Sequence, residues 1–428
     1  MKYIISTLGC KVNQYETQAM ETFLQQRGHS RAEAGEEADA VIVNTCAVTA
    51  ESGRKSRQTI RRLRDENPGA VLAVCGCYSQ LSPQEVSALG AEVVFGSGDR
   101  RRLVDEVERA CQEGGGLVSV DEPFKRRDFE PLPAGAVDGR TRAMLKIQDG
   151  CVNFCSYCII PYTRGRLRSL PPEDARRETG RLDARGFREL VLTGIELASY
   201  GADLPGRPGL ADAVCAVAEE AEHMRIRLGS LEPTVVTEDF CRRLRDTGKV
   251  CRHFHLSLQS GCDGTLRRMN RKYDTARFFE SVALLREYFP GCALTADLIT
   301  GFPGETEGEQ LETLAFIKKC GFADMHIFPY SRRPGTPADA MPDQVDNAVK
   351  ARRAHEAQRL ADEMRREYML SQVGRTLPVL FETRTERGYQ GHSDSYLPVA
   401  APGEELRGRV ESVEINGLED GVLIGEIV

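Results

Sequence analysis

The run Gly150-Cys151-Val152-Asn153-Phe154-Cys155-Ser156-Tyr157-Cys158 sets three cysteines at CxxxCxxC spacing, with an aromatic just before the last. Three thiolates this close can hold three corners of a 4Fe–4S cube. Clusters are normally held by four cysteines, and no fourth lies nearby, so one iron keeps an open position. A metal with an open position is a reaction centre rather than a structural staple. A zinc site would need a fourth ligand, and the next His or Cys downstream is Cys215.

The segment 142–148 leads into this run and reads as a strand. Further strands are expected at 189–195, 225–231, 253–260, 293–301 and 324–331, with helices between them at 172–186, 209–222, 237–246, 274–288 and 307–319. Six strands fall short of the eight of a full barrel, so an open (β/α)6 barrel over 139–335 is the expectation. The cysteine run follows its first strand, at the face where such barrels carry their chemistry.

Upstream, strands are expected at 2–9, 40–45, 70–76 and 92–97, alternating with helices at 13–26, 49–66, 82–88 and 102–112, the pattern of a parallel α/β sheet. Cys10, Cys46 and Cys77 each follow one of these strands. Parallel strands bring their C-terminal ends to one edge, where open α/β folds bind ligands. A second three-thiolate site is therefore expected at residues 1–115. The alternative is ordinary buried cysteine, which suits Cys75 within its strand and the scattered Cys111, Cys215, Cys241, Cys251, Cys262, Cys292 and Cys320.

Residues 116–138 read as a linker, opened by the run Gly114-Gly-Gly116 and holding Lys125-Arg-Arg-Asp128, Pro131, Pro133 and Gly135. The barrel domain with a following charged helix spans 139–370. Residues 371–428 show short alternating runs broken by turns and read as a small antiparallel β-barrel. The 428 residues are enough for several cores. No stretch approaches the ~20 apolar residues of a membrane span. The N-terminus lacks a signal pattern, so a cytoplasmic protein with reduced thiols is expected. The net charge of −7 gives no general support for nucleic-acid binding.

The combination of Thr7-Leu-Gly-Cys-Lys-Val-Asn-Gln-Tyr-Glu-Thr17, Asn44-Thr-Cys46, Gly76-Cys-Tyr78, the CxxxCxxC run, Pro161-Tyr-Thr-Arg-Gly165, Gln259-Ser-Gly261 and Gly301-Phe-Pro-Gly-Glu-Thr306 resembles the methylthiotransferases of the radical S-adenosylmethionine (SAM) class over essentially the whole chain. The resemblance implies an N-terminal three-cysteine domain, a radical SAM barrel and a C-terminal TRAM domain. Its subgroups act on isopentenyladenosine in tRNA, on threonylcarbamoyladenosine in tRNA, or on a ribosomal-protein aspartate. Leu8-Gly-Cys-Lys-Val-Asn13, Cys46-Ala-Val-Thr49, Lys55-Ser-Arg-Gln58 and Arg164-Gly-Arg-Leu-Arg-Ser169 are most similar to the threonylcarbamoyladenosine subgroup. Two departures stand out: Val152 where family members commonly carry Asn, and Leu170 where the basic run often ends in Arg.

The family resemblance implies two 4Fe–4S clusters, one on Cys151, Cys155 and Cys158 that binds SAM, and an auxiliary one on Cys10, Cys46 and Cys77 that carries sulfur. SAM would serve as radical source and as methyl donor. An electron donor such as flavodoxin or ferredoxin, a tRNA substrate and a monomeric state are also implied. Tyr157 is expected against the adenine of SAM. Strand-end residues Thr193, Gly194, Glu196, Ser230, Glu232, Gln259, Asp297, Gly301 and Phe302 are expected to complete its site, although turn residues are often satisfied locally. Arg54, Arg57, Arg61 and Arg64 share one helix face. With Arg164, Arg166 and Arg168, and with Arg267, Arg268, Arg271 and Lys272, they are candidates for RNA phosphates. The alternative is that they solvate helix faces. Residues 371–428 carry five Arg and ten acidic residues, which does not favour RNA by charge. A two-cluster electron carrier is the non-enzymatic alternative, but carriers normally give each cluster four cysteines.

Overall fold

The computed structural model describes residues 1–33, 35–134, 141–386 and 388–428. It forms two compact units: Met1–Val137 with Gln148–Leu170 and Ser331–Asp339, and Asp138–Ile147 with Pro171–Tyr330 and Ala340–Val428. Residues 135–138 of the segment read as a linker, and the first two residues assigned to the barrel domain, lie outside the described residues.

In the first unit, β1 (Lys2–Thr7), β2 (Ser30–Arg31), β3 (Ala40–Thr45), β4 (Val71–Gly76), β5 (Val93–Phe95) and β6 (Leu117–Ser119) form a sheet in the order β2-β1-β3-β4-β5-β6. Every pair is parallel. The helices are α1 (Lys11–Gln26), α2 (Ala50–Glu66), α3 (Cys77–Leu81), α4 (Pro83–Ala88) and α5 (Arg100–Glu113). β3 is buried at all six positions, as expected of an apolar run inside a parallel sheet. Val41, Val43, Leu72 and Val74 pack with Ile60 and Leu63 of α2. Thr49 caps α2 by accepting the Ser52 N–H at 3.0 Å. The short strands β2 and β6 are additions to the sequence reading, and β6 falls inside the expected linker. Three residues after a glycine run carry too little periodicity to announce a strand.

The chain then contributes β7 (Arg142–Lys146) to the second unit and returns to the first. There β8 (Gln148–Asp149) pairs antiparallel with β9 (Arg168–Ser169), enclosing the CxxxCxxC run and α6 (Ile160–Arg164). Ile159 joins the core formed by Val74, Cys77 and Tyr78.

In the second unit, β7, β10 (Glu189–Thr193) and β11 (Arg225–Leu228) form one parallel sheet, and β12 (His253–Gln259), β13 (Ala293–Thr300) and β14 (Asp324–Pro329) another. A parallel bridge from Leu231 to Leu256 joins them. The six strands therefore run in chain order, and among the described residues the sixth does not pair with the first. This is the expected open (β/α)6 barrel. Its helices are α7 (Pro172–Ala184), α8 (Leu210–Glu220), α9 (Glu238–Asp246), α10 (Asp263–Arg268), α11 (Thr275–Tyr288) and α12 (Glu307–Cys320). On β12 and β13, Phe254, Leu256, Leu258, Leu294, Ala296 and Leu298 are buried, while His255, Ser257, Gln259, Thr295 and Asp297 alternate with them on the opposite, polar side.

After α13 (Asn347–Leu370), β15 (Thr376–Thr385), β16 (Gly388–Ser393), β17 (Pro398–Ala401), β18 (Val410–Glu419) and β19 (Val422–Ile427) close a five-stranded barrel in the order β15-β16-β17-β19-β18. It is filled by Val379, Phe381, Val399, Val413, Ile415 and Leu423. It is tied to the starts of the open barrel's strands, away from their C-terminal ends. Arg225 and Arg227 donate to the carbonyl oxygens of Pro378 and Asp394 at 3.1 and 2.9 Å, and Arg142 pairs with Glu382 at 2.9 Å. No helix among the described residues is long and apolar enough to cross a membrane.

Candidate iron–sulfur sites and the barrel mouth

Register brings the first cysteine set together. Thr7 pairs with Asn44, and Asn44 with Cys75, so β1, β3 and β4 end side by side, each followed by its cysteine. Cys10 caps α1 and Cys77 opens α3. The turns are tight: a Cβ on Gly9 (φ +102°) would lie 2.7 Å from the Cβ of Cys46. The motif asparagines lock the ends. Asn13 Nδ2 donates to the carbonyl oxygens of Leu8 and Thr45 at 2.8 and 3.0 Å, and Asn44 Nδ2 donates to that of Asn13 at 3.0 Å. Cys46 and Cys77 are buried, while Cys10 keeps solvent-accessible surface. Desolvation raises the Cys10 and Cys46 thiols, ahead of the lowering contributed by the Arg164 cation. Cys75 is a packing residue whose thiol burial pushes up to about 11.

The second set lies on the loop between β8 and β9. Gly150 (φ +76°) runs so close to the return strand that a Cβ would meet the Arg166 carbonyl oxygen at 1.9 Å. The Cys151 N–H donates to the Gly165 carbonyl at 3.1 Å, and that of Cys158 to Cys155 at 2.9 Å. Phe154 adopts φ +48°, a conformation costing a residue with a side chain about 1–3 kcal/mol.

Arg164, the last residue of α6, reaches the residues that position the first set. It is fully buried, bonds Glu16 at 2.5 Å and Asn13 Oδ1 at 2.7 Å, and lies 3.3 Å from Asp149. Glu16 also receives Arg100 at 2.8 Å. Arg168 is buried too, 3.3 Å from Asp149. These partners correct the reading of Arg164 and Arg168 as RNA contacts, because buried guanidiniums spent on carboxylates and, for Arg168, on the Arg164 and Arg166 carbonyl oxygens cannot reach a phosphate. Arg166 is exposed. On α2, Arg54 and Arg61 are exposed, and Arg57 donates to the Tyr78 hydroxyl at 3.0 Å. Arg64 is spent on the Ala70 and Gly90 carbonyl oxygens.

At the barrel strand ends, Thr193 is buried, Gly194 half-buried and Ser230 exposed. The Glu232 carboxylate is fixed by Arg271 at 3.0 Å, so Arg271 is a support rather than an RNA contact. Glu196 is raised, first by desolvation and then by the Glu232 charge. Gln259 adopts φ +64° where the β12 register shifts. Asp297 lies 3.2 Å from His255 and 3.4 Å from His326. Burial alone would raise it, but the two imidazoles outweigh that and hold it well below the usual carboxylate range. Both histidines escaped the sequence reading, because single histidines on separate strands form no motif. Gly301 and Phe302 do not offer ligand surface. The Gly301 N–H is taken by Glu305 at 2.9 Å and a Cβ there would strike Lys350. Phe302 is fully buried, edge-on to Tyr330.

Both cysteine sets suit a cluster better than a single ion. Among the described residues, the sole set of three or more His, Cys, Asp or Glu ligand atoms within 4.8 Å of one another is Asp183, Glu222 and His223. One zinc, with Zn–S near ~2.3 Å, would draw its sulfurs to within ~4 Å of each other. Three thiols with no fourth cysteine in either motif match a cube with one open iron.

Comparison with known proteins agrees. Residues 2–96 match the family described as Uncharacterized protein family UPF0004, and residues 145–317 match the Radical SAM superfamily. The chain is 40% identical over 417 residues to the threonylcarbamoyladenosine tRNA methylthiotransferase MtaB of Bacillus subtilis (strain 168), covering 96% of this chain and 92% of that one. It is 35% identical to MtaB of Thermotoga maritima, covering 98% and 95%. It is 33% identical to the tRNA-2-methylthio-N(6)-dimethylallyladenosine synthase of Symbiobacterium thermophilum, covering 99% and 94%. Among solved structures, the radical S-adenosylmethionine methyltransferase TsrM from Kitasatospora setae shares the fold, with TM-score 0.58 and 18% identity, covering 79% of this chain and 77% of that one. With two three-cysteine sets, the open barrel and near-full-length identity to MtaB proteins, the chain belongs to the radical SAM methylthiotransferase family, in its MtaB subgroup.

Proposed function

We propose that this chain transfers a methylthio group to C2 of N6-threonylcarbamoyladenosine next to the anticodon in tRNA, giving 2-methylthio-N6-threonylcarbamoyladenosine. The observation that carries the reading is the pair of three-cysteine sets in one compact unit, each short of a fourth thiolate. The C2 proton of adenine is not usefully acidic, so side-chain acids and bases cannot activate it, and a cofactor must. When bound, two 4Fe–4S clusters and SAM supply the radical that removes the C2 hydrogen and the sulfur and methyl that replace it.

The chain's own residues hold and orient. Cys151, Cys155 and Cys158 would bind one cluster on a loop fixed by Gly150 and the β8–β9 pair. Cys10, Cys46 and Cys77 would bind the other on strand ends tied by Asn13 and Asn44. Tyr157, Thr193, Gly194, Ser230, Gln259 and Asp297 are proposed to contact SAM. Glu232, held by Arg271 at 3.0 Å, is proposed to accept hydrogen bonds from ribose hydroxyls. Arg54, Arg57, Arg61 and Arg166 are proposed to meet RNA phosphates. A flavodoxin or ferredoxin as reductant, a monomeric state and a cytoplasmic location complete the reading.

Mass spectrometry of tRNA nucleosides from cells with and without the gene tests it. Loss of the methylthio form with accumulation of threonylcarbamoyladenosine is expected. Loss of the isopentenyl counterpart instead would move the enzyme to the dimethylallyladenosine subgroup, and no change in any tRNA nucleoside would sink the tRNA reading. Cys46→Ala should abolish methylthiolation in vitro while SAM cleavage stays measurable. Full product from that variant would sink the two-cluster reading.

A further inference from the structure

The loop carrying Cys151, Cys155 and Cys158 also displays aromatic rings. Phe154 stacks on Phe124, with centroids 6.2 Å apart and planes 8° from parallel, and meets the edge of Tyr162 at 5.9 Å. These contacts leave Phe154 39% and Tyr162 38% exposed, beside Val152 at 47%. Phe154 is held at φ +48°, a left-handed conformation unfavourable to bulky residues, and still keeps more than a third of its surface in water. Strain of this kind persists where the surroundings over-determine it, commonly at binding sites. Phe124 is equally fixed: a Cβ on Gly165 (φ +73°) would lie 2.0 Å from the Pro123 carbonyl oxygen, so the backbones of 123–124 and 165 touch. Close in sequence stand the exposed cations Lys125, Arg127 and Arg166. Lys125 pairs with Glu122 at 2.7 Å, but its side chain remains 80% exposed.

Rigid exposed rings flanked by cations suit unpaired nucleobases, the rings taking the base face and the cations the phosphates. We propose that Phe124, Phe154 and Tyr162 form a stacking platform for an unpaired base in the same loop of RNA as the modified adenosine. The inference rests on the tRNA reading above. Because stacking accepts any base, the platform would grip the loop without reading its sequence.

The chain contains no tryptophan. Phe124→Trp therefore puts a single indole on the platform while keeping an aromatic face. The test titrates wild type, F124W and F124A with a labelled anticodon stem–loop RNA carrying threonylcarbamoyladenosine. Anisotropy of the RNA reads binding, and emission of the lone indole reads stacking. The expected result is that F124W binds like wild type with its emission quenched at saturation, while F124A binds about tenfold more weakly. F124W separates loss of stacking from loss of fold. If F124A binds as tightly as wild type and the indole emission does not move, the platform is overturned and the tRNA reading survives. If wild type itself fails to bind the RNA, the tRNA reading fails and the platform falls with it.

Discussion

Gly76 shows how a single residue sets the auxiliary site. It joins Cys75 to Cys77 at φ +104°, and a Cβ there would lie 2.3 Å from the Thr45 carbonyl oxygen and 2.7 Å from Asn44 Oδ1. Neither neighbour can yield, because β3 is the buried centre of the sheet. Gly76→Ala should therefore destabilise the protein by about 2 kcal/mol or more and cost it the iron held by Cys10, Cys46 and Cys77. Gly69→Ala, where nothing lies within 4 Å, is the matched control and should be near neutral. Thermal melts with iron analysis on both variants decide it, and equal behaviour would refute the steric argument. The strand-end positions of the cysteines could be placed from the sequence because each follows an apolar run, whereas the need for glycine at 76 shows only in the fold. The role of Arg164 was not readable either, because in sequence it looks like Arg166 two positions on. Only folding shows that one meets Glu16, 148 residues away, while the other faces solvent.

At the scale of elements, strands with plain apolar runs were read to within a few residues, whereas the two- and three-residue strands β2 and β6 were not. The Arg225-Ile-Arg227 alternation on β11 would suit a half-exposed strand by period alone. In the fold both arginines converge on Glu189, the first residue of β10, at 2.7 and 2.8 Å, while also gripping the C-terminal barrel. Burial alone would raise the Glu189 carboxyl, but Arg227 and then Arg225 outweigh it and hold it at about 2. A carboxylate depressed in the folded state contributes stability above its unfolded value and loses it as pH falls through the folded one. The window thus runs from about pH 4.5 down to about pH 2, and the contribution is on the order of 3 kcal/mol. Glu189→Gln should be less stable than wild type by that order at neutral pH, with the gap narrowing steadily across the window. Denaturant unfolding at a series of pH values measures it, and a gap that stays constant with pH would exclude Glu189 as the titrating group. The same contacts give the acidic C-terminal barrel its place: Arg142, Arg225 and Arg227 hold it on the starts of the barrel strands.

At the scale of the whole molecule, motif order suggests that the CxxxCxxC loop belongs with the barrel whose first strand it follows. The loop instead folds with the N-terminal unit. Nothing in the spacing announces this. What does it is the apolar Ile159 directly after Cys158, 4% exposed and packed in one core with Val74, Cys77 and Tyr78. Cys77 of one set and Ile159, next to the last cysteine of the other, therefore share a hydrophobic core, and damage to that core should be felt by both. Ile159→Ala removes buried methyl groups and should cost about 2–5 kcal/mol. It should also lower iron retention at both sets, since each loop is positioned by the same packing. Cys46→Ala removes one ligand without emptying the core and should cost only the auxiliary cluster, about half of the iron. Iron per chain and the melting temperature of the two variants, reconstituted side by side, separate these cases. If Ile159→Ala loses stability yet keeps its full iron, the two sites are held independently and the shared core is only scaffolding. If it loses more iron than Cys46→Ala, one core holds both sites in place.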